Sequence, residues 1–292
     1  MTPQSDNARA ALMMVASMAA FAVEDLFLKT AASALPPGQV LALTGGAGAL
    51  IFWAIAARQG ERVLSLQALR GAALVRTLSE AAAAMLYITA LALVPLSVNA
   101  ALLQASPLLV TMGAALVLGE KVGWRRWSAI GLGFLGVLII LRPGAEGFQL
   151  AGLLTVGCVV VLAARDLATR TMPASVGSLQ LSAWAYIGMV PAGLLLMLIA
   201  GDAPAPVAPA RWAQLGGALI SGIAGYYLVV LAMRRGEVSV VAPFRYTRLV
   251  FAVVLAMIFL GERPDGWTLT GSALVILSGL YAFARERRRR AS

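Results

Sequence analysis

Val117-Leu118-Gly119-Glu120-Lys121 and Phe259-Leu260-Gly261-Glu262-Arg263 are two copies of one short pattern, separated by 142 positions. The same offset aligns Ser97-Val98 with Ser239-Val240. Several matches at one offset, each at an equivalent place relative to the surrounding apolar segments, indicate an internal repeat. The chain is therefore predicted to consist of two halves with the same fold.

The composition predicts that both halves lie in a membrane. Of the 292 residues, 60% are hydrophobic and 12% charged, and a soluble domain is about a quarter charged. A bilayer core needs about 20 apolar residues per helix. Ten such segments are predicted, roughly at 8–33, 38–57, 71–93, 97–118, 126–141, 150–170, 177–200, 212–233, 238–260 and 267–284.

The repeat unit contains five spans, which is an odd number. Near the start of each half the offset is 141, and it aligns Asp25-Leu26 with Asp166-Leu167. The second copy must therefore enter the membrane from the opposite side, which gives an inverted repeat typical of secondary transporters. We predict an all-α membrane protein with repeats at 1–145 and 146–284 and a basic tail at 285–292.

The positive charges predict the orientation of the spans. Fifteen of the 23 Lys and Arg residues fall on the side that holds both termini, three fall on the other side, and five lie within spans. Because cytoplasmic loops carry an excess of Lys and Arg, both termini are expected in the cytoplasm. The net charge of +10 thus reflects topology, and no nucleic-acid partner is expected.

Residue usage also limits the chemistry. The chain has no His and one Cys, Cys158, so His-dependent nucleophilic or metal sites and an internal disulfide are excluded. It contains no G-x-x-x-x-G-K-[ST] motif for ATP and no Gly-x-Gly-Asp motif of an intramembrane protease. We expect no enzyme activity, no metal and no cofactor.

Ten spans, two five-span halves and an L-G-E-basic pattern after the fourth span of each half resemble the EamA family of the drug/metabolite transporter superfamily. The resemblance covers essentially the whole chain. It implies a bacterial inner-membrane exporter or exchanger of small metabolites that acts by alternating access, functions as a monomer and has its substrate site between the repeats. Amino acids, including aromatic ones, are the first expected substrates. Nucleobases, vitamins and drug-like compounds stay open, as does a non-transporting receptor or assembly subunit.

Ionised groups inside a bilayer are costly and need partners or a wet cavity. The acids within spans are Glu24, Asp25, Glu80 and Asp166, and each is a candidate for proton coupling. The i,i+4 spacing predicts three pairs along single helices, namely Asp25 with Lys29, Arg76 with Glu80, and Asp166 with Arg170.

Two arginines three positions apart, Arg245 and Arg248, lie on the ninth span beside Tyr246. Like charges repel, so they are expected to face a carboxylate, from Glu80 or Asp166 or from a substrate. Arg binds a carboxylate well through its planar fork, and an acid can hold an ammonium group. A zwitterionic substrate fits this set of charges.

Aromatic side chains within spans are further candidates for the cavity wall, and Tyr and Trp combine an apolar face with a polar atom. They are Tyr87, Trp184, Tyr186, Tyr226, Tyr227, Phe244 and Tyr246, together with the polar Asn99 and Gln104 on the fourth span. Packing against lipid or a neighbouring helix, and hydrogen bonding between helices, are the alternative roles for these side chains.

Overall fold

Apolar segments fold as helices in this chain because a helix satisfies its backbone hydrogen bonds internally. The computed structural model describes residues 3–60, 63, 70–120, 122–144, 150–172 and 176–291, and no strand occurs among them. Within this part of the chain, ten helical segments are long and apolar enough to cross a membrane. The predicted all-α fold with ten spans is confirmed.

The helix bounds agree with the predicted spans to within a few residues at most ends. The helices are α1 (Pro3–Ala32), α2 (Pro37–Arg58), α3 (Gly71–Leu93), α4 (Leu96–Leu103), α5 (Ser106–Val117), α6 (Trp124–Leu141), α7 (Gly152–Arg170), α8 (Ser178–Ala200), α9 (Pro209–Arg235), α10 (Val238–Val241), α11 (Thr247–Phe259) and α12 (Gly266–Ala291), with a 3-10 turn (Ala242–Tyr246) between α10 and α11. The basic tail was predicted as a separate segment, but α12 continues through it.

The fourth and ninth spans are broken helices. The fourth consists of α4 and α5, which meet at Gln104 and Ala105, and the ninth consists of α10, the 3-10 turn and α11. Pro107 lies two residues after Ala105, and Pro243 is the second residue of the 3-10 turn. Proline lacks the amide hydrogen that a continuous helix requires, so both breaks have a local cause.

Helix packing obeys a pseudo-two-fold relation between the halves. Helix α1 packs on α9 and α11, and its counterpart α7 packs on α3 and on α4 and α5. The pairs α2 with α8 and α6 with α12 join corresponding spans of the two halves. At the second of these pairs the backbones approach closely, because a Cβ on Gly136 would lie 2.8 Å from the carbonyl oxygen of Gly271.

Both L-G-E copies end a helix in the same way. The glycine has a positive φ, +69° in the first copy and +64° in the second, which is a conformation that favours glycine. The next amide turns back to an alanine carbonyl at 3.1 Å, from Glu120 to Ala114 and from Glu262 to Ala256. Each glutamate therefore leaves its helix end with the same backbone geometry.

The segment that joins the halves, 145–149, lies outside the described residues, so the boundary at 145/146 stays a prediction.

Candidate functional site

Asp25 lies in the second half of the first span and forms an ion pair with Arg248. The Asp25 side chain is 1% exposed, and the Arg248 side chain is 24% exposed. Arg248 donates to the Asp25 carboxylate from Nε at 3.1 Å and from Nη2 at 2.8 Å, and the Tyr87 hydroxyl donates to it at 2.8 Å. The pair joins helices α1, α3 and α11, because each contributes one of the three side chains.

Two of the three predicted i,i+4 pairs are wrong. Asp25 binds Arg248 instead of Lys29, whose ammonium donates to the backbone carbonyls of Leu91 and Val94. Arg170 likewise pairs with Glu120 instead of Asp166. Spacing along one helix could not reveal these partners, because they come from other helices.

A second charged cluster lies on α3 and α7. Arg165 bridges two acids, with Nη1 at 3.0 Å from Glu80 and Nη2 at 2.7 Å from Asp166. Arg76 approaches Glu80 at 3.8 Å, so this predicted i,i+4 pair is confirmed. Unlike Asp25, these side chains keep between 12% and 35% of their surface exposed.

The two clusters border one region of the bundle. Helix α3 carries both Tyr87, which donates to Asp25, and Glu80, which pairs with Arg165, seven positions apart. Arg248 was expected to face Glu80 or Asp166, and its hydrogen-bonded partner is Asp25. The centre of the bundle therefore holds opposite charges from both halves.

Two ionisable groups of this region make no hydrogen bond or ion pair with any described residue: Glu24 and Arg245. Glu24 lies on α1 against α9, where Gly222 leaves room for its carboxylate. Arg245 lies in the 3-10 turn with an exposed side chain. These groups can bind a further partner, whereas Arg248 already donates to Asp25 from Nε and Nη2.

Aromatic rings stand beside the acids. Phe52 stacks on Tyr186 with ring centroids 5.3 Å apart and meets Tyr226 edge to face at 6.2 Å. Arg76, which pairs with Glu80, donates at 3.4 Å to the Leu181 carbonyl of α8, the helix that carries Tyr186. Phe52 was missed by the sequence analysis, although Gly48 one turn earlier, against which the Tyr186 ring packs, marks this face of α2.

Of the two polar candidates on the fourth span, Gln104 lies at the helix break and Asn99 binds the end of α3. Gln104 donates to the backbone carbonyl of Tyr246 at 3.1 Å, which joins the break in one half to the break in the other. Asn99 is buried, donates to the Ala90 carbonyl at 3.0 Å and accepts from the hydroxyl of Thr155. Both amides are engaged with the protein itself.

The remaining aromatic candidates lie in three different environments. Trp184 is buried and donates to the Val63 carbonyl at 2.7 Å. Tyr227 is 63% exposed on α9. The buried hydroxyl of Tyr246 has no hydrogen-bond partner among the described residues and packs closely on Gly279. Phe244 is 37% exposed, and of the predicted aromatic residues Tyr186 and Tyr226 form the ring group with Phe52.

The fold agrees with that of known proteins. The model of the EamA-like transporter family matches residues 8–142 and 149–283, once for each half. A riboflavin transporter of Rhizobium johnstonii is 32% identical over 203 residues, covering 70% of this chain and 67% of that protein. An S-adenosylmethionine uptake transporter of Rickettsia prowazekii is 24% identical over 206 residues, with 68% and 66% covered.

Two further comparisons cover nearly the whole chain. The pseudopaline exporter CntI of Pseudomonas aeruginosa is 25% identical over 271 residues, covering 91% of this chain and 93% of that protein. A crystal structure with 20% identity matches with a TM-score of 0.63 over 96% of this chain and 98% of that one, which shows the same fold. The chain is a multi-pass membrane protein of the EamA family in the drug/metabolite transporter superfamily, and it transports a small molecule.

Proposed function

We propose that this chain moves a small metabolite with a planar aromatic ring by alternating access between its two halves. The observation that carries the proposal is the ring group of Phe52, Tyr186 and Tyr226. Arg76, which pairs with Glu80, donates to the Leu181 carbonyl of α8, the helix that carries Tyr186. Aromatic side chains bind planar rings by stacking, and the neighbouring ionised groups can bind the polar edge.

Riboflavin is the first substrate to test. It has a planar ring system with polar edges, and the relative in Rhizobium johnstonii carries the name of a riboflavin transporter. The described charges are nearly balanced within their clusters, which suits a ligand without a full charge of its own.

An amino acid, above all an aromatic one, is the second candidate. It is favoured by Glu24 and Arg245, an acid and a guanidinium that no described residue satisfies. A zwitterion carries an ammonium for the first and a carboxylate for the second, and its ring fits the same aromatic group.

We infer that the protein exports or exchanges its substrate across the bacterial inner membrane, as a monomer with both termini in the cytoplasm. The asymmetry of Lys and Arg between the two sides supports this orientation. Labelling of single cysteines at positions 9 and 202 with a membrane-impermeant reagent in intact cells tests it. Reaction at 202 alone is expected, and reaction at 9 alone would reverse the orientation.

Glu24 is the carboxylate that we propose for proton coupling. It has no ion-pair partner among the described residues, so a proton can leave and return without breaking a salt bridge, whereas Asp25 is held by Arg248. The variant Glu24→Gln is expected to keep substrate exchange and to lose its response to a pH gradient.

The substrate experiment is counterflow in proteoliposomes. Riboflavin, Phe, Trp and Ala are compared, with and without a pH gradient, against empty vesicles. Tyr186→Leu is expected to weaken riboflavin transport by up to about tenfold, because aromatic pairing contributes roughly 0.5–1.5 kcal/mol. Tyr227→Leu is the matched control on the exposed surface of α9 and should transport normally. Equal transport by both variants contradicts the ring site, and no flux above empty vesicles for any compound contradicts the substrate class.

A further inference from the structure

The glutamate of the second L-G-E copy binds the start of a helix in the other half. The Glu262 carboxylate accepts hydrogen bonds from the amides of Leu96 at 2.7 Å and Ser97 at 3.0 Å and from the Ser97 hydroxyl at 2.7 Å. These are first amides of α4, which have no partner within the helix and lie at the positive end of its dipole. The contact joins the ninth span to the fourth.

The Lys29 ammonium binds the same turn between α3 and α4 through its carbonyl groups. Lys29 donates to the carbonyls of Leu91 at 2.9 Å and Val94 at 2.7 Å, where α3 ends. Its charge is within electrostatic range of Glu262. The turn between α3 and α4 is therefore fixed by a carboxylate on its amides and an ammonium on its carbonyls, an arrangement that we call the engaged latch.

The internal repeat places the same components at the opposite end of the bundle. The offsets of 142 and 141 relate Glu262 to Glu120, Lys29 to Arg170, and Leu96 and Ser97 to Val238 and Ser239, where α10 begins. Here the two charged residues bind one another, with Arg170 Nη1 at 3.1 Å from Glu120. Both side chains are about half exposed, at 49% and 46%.

The backbone does not explain this difference. The two L-G-E copies end their helices with the same hydrogen bond at the same 3.1 Å, so both glutamates start from equivalent positions. What differs is the partner, which is a helix start for Glu262 and a neighbouring arginine for Glu120. The L-G-E motif is thus present in two arrangements within one molecule, one bound to a helix start and one bound to an arginine.

We propose that Glu262 and Glu120 are alternating latches for the two ends of the transport path, an inference that rests on the proposed alternating access. In the state described here the Glu262 latch is engaged and the Glu120 latch is released. In the opposite state Glu120 binds the first amides of α10, Arg170 binds the last carbonyls of α9, and Glu262 pairs with Lys29. Because each exchange replaces one set of charged hydrogen bonds by an equivalent set, the two states are close in free energy, as a two-state switch requires.

The test measures the accessibility of each end without any substrate. In a Cys158→Ser background, which removes the sole cysteine, one reporter cysteine is placed at Val98 in α4 or at its counterpart Val240 in α10. Labelling by a water-soluble maleimide is followed in detergent. Val98 is 5% exposed in the described state, so slow labelling at position 98 and faster labelling at position 240 are expected for the parent protein.

The two latch variants are expected to act in opposite directions. Glu262→Gln weakens the engaged latch, so labelling at position 98 should rise roughly tenfold and labelling at position 240 should fall, in line with the loss of a charge-assisted hydrogen bond. Glu120→Gln removes the half-exposed ion pair with Arg170 in the described state, which contributes little. In the opposite state it removes the stronger contacts with the amides of α10, so labelling at position 98 should fall further. Asp202→Asn removes an exposed acid beyond α8 and is the matched control, for which no change is expected.

Shifts of opposite sign support the latches. Shifts of the same sign, or an unchanged labelling ratio in Glu120→Gln, overturn them, and Glu120 is exposed enough that its substitution should not impair folding. Gel filtration of each variant verifies the folded state. Since labelling requires no substrate, failure of the latches is distinguishable from failure of the counterflow experiment.

Discussion

Asp25 and Asp166 occupy corresponding positions in the two halves, yet their surroundings differ. The Asp25 side chain is 1% exposed and is held by Arg248 and Tyr87 from two other helices. The Asp166 side chain is 35% exposed and is bound by Arg165, its neighbour in the chain. The two halves thus share this acid, and local packing determines which copy remains accessible.

The pair of Asp25 with Arg248 and the cluster of Glu80, Arg165 and Asp166 are expected to serve different purposes. A buried ion pair gives little net stability over apolar packing, but removal of one partner leaves a buried charge uncompensated. Asp25 and Arg248 therefore fix how α1, α3 and α11 pack. The cluster of Glu80, Arg165 and Asp166 has more than one acid for its central arginine and can exchange one of them for a substrate.

The largest expected effect is on stability, from the loss of the ion pair between Asp25 and Arg248. Arg248→Ala leaves the Asp25 carboxylate buried with Tyr87, which should lower the free energy of unfolding by about 3–5 kcal/mol. The double variant with Asp25→Asn removes the unpaired charge and should recover part of this loss. Denaturation in detergent measures both, and a double variant as unstable as the sum of the two single variants contradicts this role.

A substitution in the cluster of Glu80, Arg165 and Asp166 should affect transport more than stability. In Glu80→Gln the guanidinium of Arg165 keeps Asp166 as a partner, so the protein should fold normally. Flux should fall roughly tenfold or more, as expected for the loss of a hydrogen bond between charged groups worth about 1.5–3 kcal/mol. Counterflow and thermal unfolding are measured together, with Asp202→Asn as the control acid. If Glu80→Gln unfolds as readily as Arg248→Ala, the two clusters do not differ in role.

Much of the fold could be predicted from the sequence. Long apolar segments indicate the spans, and the repeated L-G-E pattern indicates the two halves. Ten spans, two inverted halves and the set of charges within spans followed from them. The breaks at Pro107 and Pro243 could be anticipated from the missing amide of proline.

The partners of the charges could not be predicted. Spacing along one helix favoured Lys29 for Asp25, but α1 packs on α9 and α11, and this brings Arg248 to the carboxylate. Trp184 was likewise a reasonable cavity candidate until its indole nitrogen was seen to donate to Val63. One sequence without its tertiary contacts does not distinguish a side chain that faces a cavity from one that is satisfied by a neighbouring helix.

The smallest expected effect on stability concerns Glu24, whose position in the first half corresponds to that of Arg165 in the second. Arg165 faces Glu80, and the residue that corresponds to Glu80 in the second half is Gly222, which faces Glu24. The first contact is an ion pair, and the second is a carboxylate against a glycine. A methyl group in Gly222→Ala would clash with the end of the Glu24 side chain, which can rotate away, so stability should fall by only about 1 kcal/mol.

The pH response of transport should change more clearly than the stability, because the displaced carboxylate takes up and releases its proton in different surroundings. Gly216→Ala is the matched control, since nothing lies within 4 Å of an added Cβ at that position of α9. If both alanine variants respond to a pH gradient as the parent protein does, the space opposite Gly222 only accommodates Glu24, and coupling must be sought at Glu80 or Asp166. A changed response in Gly222→Ala alone would instead mean that this glycine, where the other half has an acid, leaves Glu24 free to exchange a proton.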